Sequence, residues 1–136
     1  MGILPDSGRA AERLEREVVG WLTTVTPSGR PQSSAVWFVV HGGAIHLQSQ
    51  PSAAKVANIR ANAKVSFHLD GDGEGGDIVT IDGDAQILDA PPADLLDVYL
   101  AKYERMIRER LQTTPEALID EYQTSVRVTP RRVRAW

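Results

Sequence analysis

Lys55 is one of only three lysines in a chain with twelve arginines, and it stands where an anion would be held. Residues 50–58, Gln-Pro-Ser-Ala-Ala-Lys-Val-Ala-Asn, read as the opening of a short amphipathic helix with Pro51 in its first turn. Free N–H groups and the positive end of the helix dipole favour negative charge there. An ammonium adds a point charge suited to a phosphate. Ser49 and Ser52 offer hydroxyls to the same group, with Gln48 beside Ser49 at the end of the preceding strand. Asn58 follows Lys55 by three residues, on roughly the same helical face. A second set lies upstream, where Ser33, Ser34, Ala35, Val36 and Trp37 succeed one another on an expected strand. Ser33, Ala35 and Trp37 face one way, Ser34 and Val36 the other. Such small side chains let a planar ring lie against the backbone and bond its N–H and C=O groups. The two sets together suit a flat, phosphorylated ring system. Plainer readings exist: Lys55 and Asn58 as solvated helix surface, Ser33 and Ser34 as edge-strand polar residues, and Trp37 as core filling.

Other chemistries find less support. The chain has no cysteine, which excludes disulfides, thiolate catalysis and Cys-ligated metal. His41, His46 and His68 lack metal-ligand spacing, so no metal is expected, although His46 and His68 could share a sheet face. No Gly-x-Ser-x-Gly elbow surrounds any serine. The acidic, glycine-rich stretch 70–77 has no Lys or Arg and reads as a turn. Arg127, Arg131, Arg132 and Arg134 form either a solvated strand surface or a basic rim for an anionic tail. Tyr99, Tyr103 and Tyr122 cannot be placed from sequence, and the catalytic residues stay unknown. A net charge of −3 argues against a nucleic-acid partner. The longest apolar runs fall far short of the ~20 residues that cross a bilayer. The first residues lack the pattern of a signal peptide. A cytoplasmic protein without membrane association is the expectation.

The elements that must position these residues follow from periodicity. At 136 residues the chain is expected to form one domain, residues 1–136. Ser7 can cap a helix over 9–18. Strands are expected over 19–26, 32–40, 44–49, 64–70, 78–88 and 125–136, the last interrupted at Pro130. Pro27-Ser28-Gly29 supplies turn chemistry, and Gly83 marks a bulge or bend. Helical patterns cover 93–111 and 114–122. Six strands with few intervening helices predict a mostly β, α+β fold: an antiparallel barrel with peripheral helices.

The run Thr24-x-x-Pro27-Ser28-Gly29-Arg30-Pro31-x4-Val36-Trp37-Phe38, followed by Ser49-x5-Lys55-x2-Asn58-Ile59-Arg60, resembles the split β-barrel flavin and deazaflavin oxidoreductases, relatives of pyridoxamine 5′-phosphate oxidase. The strand Val79-x-Ile81-x-Gly83-x-Ala85 and the closing Val128-Thr129-Pro130-Arg131-Arg132-Val133-x-x-Trp136 are similar too, so the resemblance covers about residues 14–136. Length and an Ala- and Arg-rich composition are most similar to the actinobacterial subgroup that uses coenzyme F420 in place of FMN. The resemblance implies a six-stranded split barrel of the FMN-binding-protein type and a homodimer with the cofactor between its barrels. It implies Ser33, Ser34, Ala35, Val36, Trp37, Gln48, Ser49, Lys55 and Asn58 as cofactor-binding residues. The activity it implies is hydride transfer from reduced F420 to a small molecule. An FMN-dependent enzyme of the same fold and a non-catalytic cofactor carrier are the alternatives. One departure stands out: Ala53, Ala54 and Ala57 leave Lys55 nearly alone, where FMN relatives and some deazaflavin binders carry a second basic residue.

Overall fold

Stretches rich in Val, Thr, Trp and Phe pair into one seven-stranded antiparallel sheet in the computed structural model, which describes residues 3–136. The strands are β1 (Val19–Val25), β2 (Pro31–Trp37), β3 (Val39–His41), β4 (Ala44–Ser49), β5 (Lys64–His68), β6 (Val79–Leu88) and β7 (Thr124–Ala135). Their order in space is β2-β1-β5-β6-β7-β4-β3. The sheet curls into a half-barrel that brings β2 against β4. Its inner face buries Leu22, Phe38, Ile45, Phe67, Ile81 and Val126, none of them measurably exposed.

Four helices lie outside: α1 (Gly8–Arg16), α2 (Ala54–Ala61), α3 (Leu95–Glu109) and α4 (Pro115–Glu121). Leu95, Tyr99, Tyr103 and Ile107 fall at helical spacing on one face of α3 and form a second core with Val39 of β3 and Leu118 of α4. Thr114 caps α4, its hydroxyl accepting the Ala117 N–H at 3.2 Å. None of these helices is long and apolar enough to cross a membrane.

The seventh strand corrects the expected count of six. The stretch 32–40 does not run through; it breaks at Phe38 into β2 and β3. The Phe38 N–H donates to the Tyr103 hydroxyl at 2.9 Å, and the Phe38 carbonyl accepts from Lys102 Nζ at 2.8 Å. Side chains of α3 thus satisfy both backbone groups that a continuous strand would give to a neighbour. The helix at Lys55 also begins later than expected. Pro51 and Ser52 sit in a turn closed by an Ala53 N–H bond to the Gln50 carbonyl, and α2 starts at Ala54. Pro130 does not end β7. The register shifts at Asp82/Gly83, so that Gly83 faces Pro130 while Asp82 faces Arg132, leaving Arg131 as the extra residue of a bulge. A Cβ on Gly83 would lie 2.7 Å from a Val128 methyl and 2.8 Å from the Thr129 carbonyl, so the close crossing requires glycine.

At the opposite end, α1 is tied to the 70–77 turn by Arg13, which is 6% exposed. Its guanidinium donates to the carbonyls of Asp70 and Asp77 and to the Glu17 carboxylate. Ser7 precedes α1 but makes no side-chain capping bond.

Candidate functional site

β2 is an edge strand: β1 pairs along one side, and the other side faces the start of α2. Lys55 is the second residue of α2, half-buried, and makes no ion pair or hydrogen bond among the described residues. The other two lysines are engaged, Lys64 with Asp84 at 3.2 Å and Lys102 with the Phe38 carbonyl at 2.8 Å. Burial pulls the Lys55 pKa below the usual ammonium range. A partly desolvated charge without a counter-charge is costly and would be relieved by an anion. The helix that carries it is capped by Ala53, which has no side chain to claim the free N–H groups.

Two hollows meet at Lys55. One, of about 460 Å³, is lined by Thr24, Gln32, Ser33, Ser34, Ala54 and Lys55, a polar wall. The other, of about 290 Å³, runs from Lys55 past Ala35, Val36 and Trp37 of β2 and Gln48 and Ser49 of β4 to the helical layer. Eight of the nine expected residues, all but Asn58, line one hollow or both.

The structure separates exposed from committed groups among them. Ser33 is exposed, its hydroxyl 2.6 Å from the Thr23 hydroxyl. Ser34 is half-buried and Ala35 exposed, while Val36 joins the inner core. Trp37 combines both readings. It stacks on Tyr103 with ring centroids 4.4 Å apart and 2° between planes, and it also lines the second hollow. The Gln48 amide donates to the Tyr122 carbonyl at 3.0 Å and accepts from Ser125 at 2.7 Å, so it is a fixed wall. The Ser49 hydroxyl donates to the Gln50 carbonyl at 3.1 Å. Asn58 turns inward, only 5% exposed, and donates to the Thr24 hydroxyl at 3.0 Å and the Gln32 amide oxygen at 2.9 Å. It does not share the open face of Lys55; it holds two side chains that wall the polar hollow.

Sequence reasoning missed Thr24, Gln32, Tyr99 and Tyr122. Only the spacing of 95, 99, 103 and 107 hinted that Tyr99 faces inward. Most of the C-terminal arginines prove engaged: Arg131 with Asp84 at 2.8 Å, Arg134 with Asp82 at 3.7 Å and Arg127 with Gln86 at 2.7 Å. His46 and His68 lie on strands separated by β6 and β7. His46 instead meets His41, ring centroids 5.8 Å apart, and burial, with His41 and Arg127 adding to it, pushes its pKa down to about 4.

The architecture has known counterparts. The conserved hypothetical protein Rv2991 from Mycobacterium tuberculosis is 28% identical, with 96% of this chain and 85% of that one covered at a TM-score of 0.70. A structure named F420 reductase is 27% identical, with 90% and 94% covered and a TM-score of 0.68. The heme storage protein HutZ from Vibrio cholerae shares the fold at 21% identity, 90% and 87% coverage and a TM-score of 0.68. No curated protein matches the sequence. A family profile described as pyridoxamine 5′-phosphate oxidase matches residues 7–136, and its split-barrel relatives include flavin- and F420-binding oxidoreductases. With that match spanning nearly the whole sequence, the chain belongs to the pyridoxamine 5′-phosphate oxidase family.

Proposed function

We propose that the protein is an F420-dependent reductase acting on a small uncharged molecule, as a cytoplasmic homodimer. The observation that carries this reading is Lys55: a half-buried ammonium with no partner among the described residues, in the first turn of α2, at the junction of two hollows. Lys55 and the free N–H groups beside it would hold a phosphate of the cofactor. Ser33, Ser34 and Ala35, small residues at the open edge of β2, would hold the ring. Bound there, reduced F420 supplies a hydride; the chain binds, orients and shields from water. Thr24 and Gln32, held by Asn58, would offer a fixed polar wall to the cofactor's polyol.

F420 is favoured over FMN because, among the described residues, Lys55 is the one cation lining the two hollows, and a dianionic FMN phosphate is usually met by more than one. The likeness to a protein named F420 reductase supports the same choice. The second subunit closes the exposed face of β2. Titration of purified protein with F420 and with FMN, followed by fluorescence, tests the proposal. Saturable binding of F420 with much weaker FMN binding is expected; the reverse order would make the protein a flavin enzyme.

A further inference from the structure

The smaller hollow has a wall with no role in holding the cofactor: Tyr99 of α3, Leu118 of α4, Leu111 and Tyr122. Tyr99 and Tyr103 are one helical turn apart and both buried, at 4% and 0% exposure. Their hydroxyls differ. That of Tyr103 takes the Phe38 N–H and sits 2.7 Å from the Val18 carbonyl and 2.9 Å from that of Phe38. That of Tyr99 makes no hydrogen bond among the described residues, and the residue lines the hollow. The Tyr99 hydroxyl is not among the sealed, unpartnered side-chain atoms, so it keeps an open face where water or a ligand can meet it. The Tyr99 ring packs against Tyr103 at 5.1 Å between centroids, which fixes where its hydroxyl stands. Burial and the neighbouring tyrosines push its pKa up, so it stays a neutral phenol able to donate a hydrogen bond at any physiological pH.

We propose that Tyr99 is the hydrogen-bond donor for the oxygen of a flat, uncharged carbonyl compound, the hydride acceptor, bound in this hollow against Ala35 and Trp37. The inference rests on the reading of Lys55 and β2 as the cofactor site, since the acceptor must lie beside the ring. The remaining walls fix the chemical class. Among the described residues Lys55 is the single charged side chain of the lining, and the cofactor reading assigns it to the phosphate. Among the described residues that line the hollow there is no carboxylate or guanidinium to pair with a charged substrate, and the Gln48 amide is already committed to Tyr122 and Ser125. The volume of about 290 Å³ is at the small end for ligand pockets, which admits one or two fused rings.

The test compares wild type with Tyr99→Phe in the full chain, by equilibrium dialysis of 2-acetylnaphthalene and of 2-ethylnaphthalene, which has the same frame without the oxygen. Tyr99→Phe should weaken the ketone about 3- to 10-fold, leave the hydrocarbon and F420 unchanged, and leave the unfolding midpoint little changed. Equal affinities for the ketone in both proteins, an equal loss for both ligands, or no ketone binding to wild type would overturn the assignment. If F420 fails to bind wild type while the ketone still distinguishes the two proteins, the cofactor reading falls and the carbonyl site stands.

Discussion

A single uncompensated ammonium separates this chain's Lys55 from every other lysine it contains, and the difference is local. Lys64 sits across from Asp84, and Lys102 reaches the Phe38 carbonyl and lies over the Phe38 ring at 4.0 Å. Asn58 shows the limit of helical arithmetic. Three residues separate it from Lys55, yet that offset turns its amide toward Thr24 and Gln32 inside the barrel mouth. Asn58→Ala should therefore lower stability by about 1–3 kcal/mol, read by denaturant unfolding, because two side-chain oxygens lose their donor. Its effect on F420 affinity should be smaller than that of a change at Lys55. His46 gives a pH signature. Its folded pKa of about 4 lies below the ordinary 6.5, so the unfolded chain binds the proton more readily. Stability is complete above pH 6.5 and falls as pH drops toward 4, by roughly 3 kcal/mol at the low end. Unfolding midpoints across pH 4–7 should show the decline, and His46→Gln should flatten it. Most of the residues that line the two hollows were legible in the sequence as types in order; Tyr99 was not, because only the packing of α3 distinguishes its hydroxyl, unbonded among the described residues, from the bonded one of Tyr103.

At the scale of elements, hydrophobic alternation located six stretches that all pair as strands, one of them split into β2 and β3, and β4 coincided with its expected span of 44–49. What the pattern could not register was the capture of Phe38 by α3, a contact between residues 65 apart. Periodicity describes a strand's faces and says nothing of where its backbone bonds go. Tyr103→Phe removes the hydroxyl that satisfies the Phe38 N–H and faces the Val18 carbonyl, while keeping the stacked ring under Trp37. It should destabilise the protein by about 1–3 kcal/mol in denaturant unfolding. Slackening the joint between β2 and β3 should also loosen Trp37, seen as a changed tryptophan emission. Gly83 illustrates the opposite case. Its place in a strand pattern signalled a bulge, and the shifted pairing of β6 with β7 supplies one.

At the scale of the molecule, the half-barrel explains why distant segments share one site. Curling brings β2 and β4, at different places in the sheet order, onto either side of the α2 start, so residues 33–37, 48–49 and 55 converge. The order of motifs along the chain implied that convergence through family resemblance; the closing of β2 on β4 is a long-range fact that no local pattern contains. The exposed run at the start of β2 calls for a cover, and a second subunit is the cover proposed. Sedimentation at micromolar concentration should give a dimer, and a monomer would leave the ring without its other wall. The most direct measurement is the dissociation constant of F420 for wild type and for Lys55→Ala, taken with unfolding midpoints for both. Loss of the charge-assisted contact should weaken binding about 5- to 150-fold with the midpoint little changed. Identical dissociation constants would show that the phosphate is held elsewhere and that this hollow is not the cofactor site.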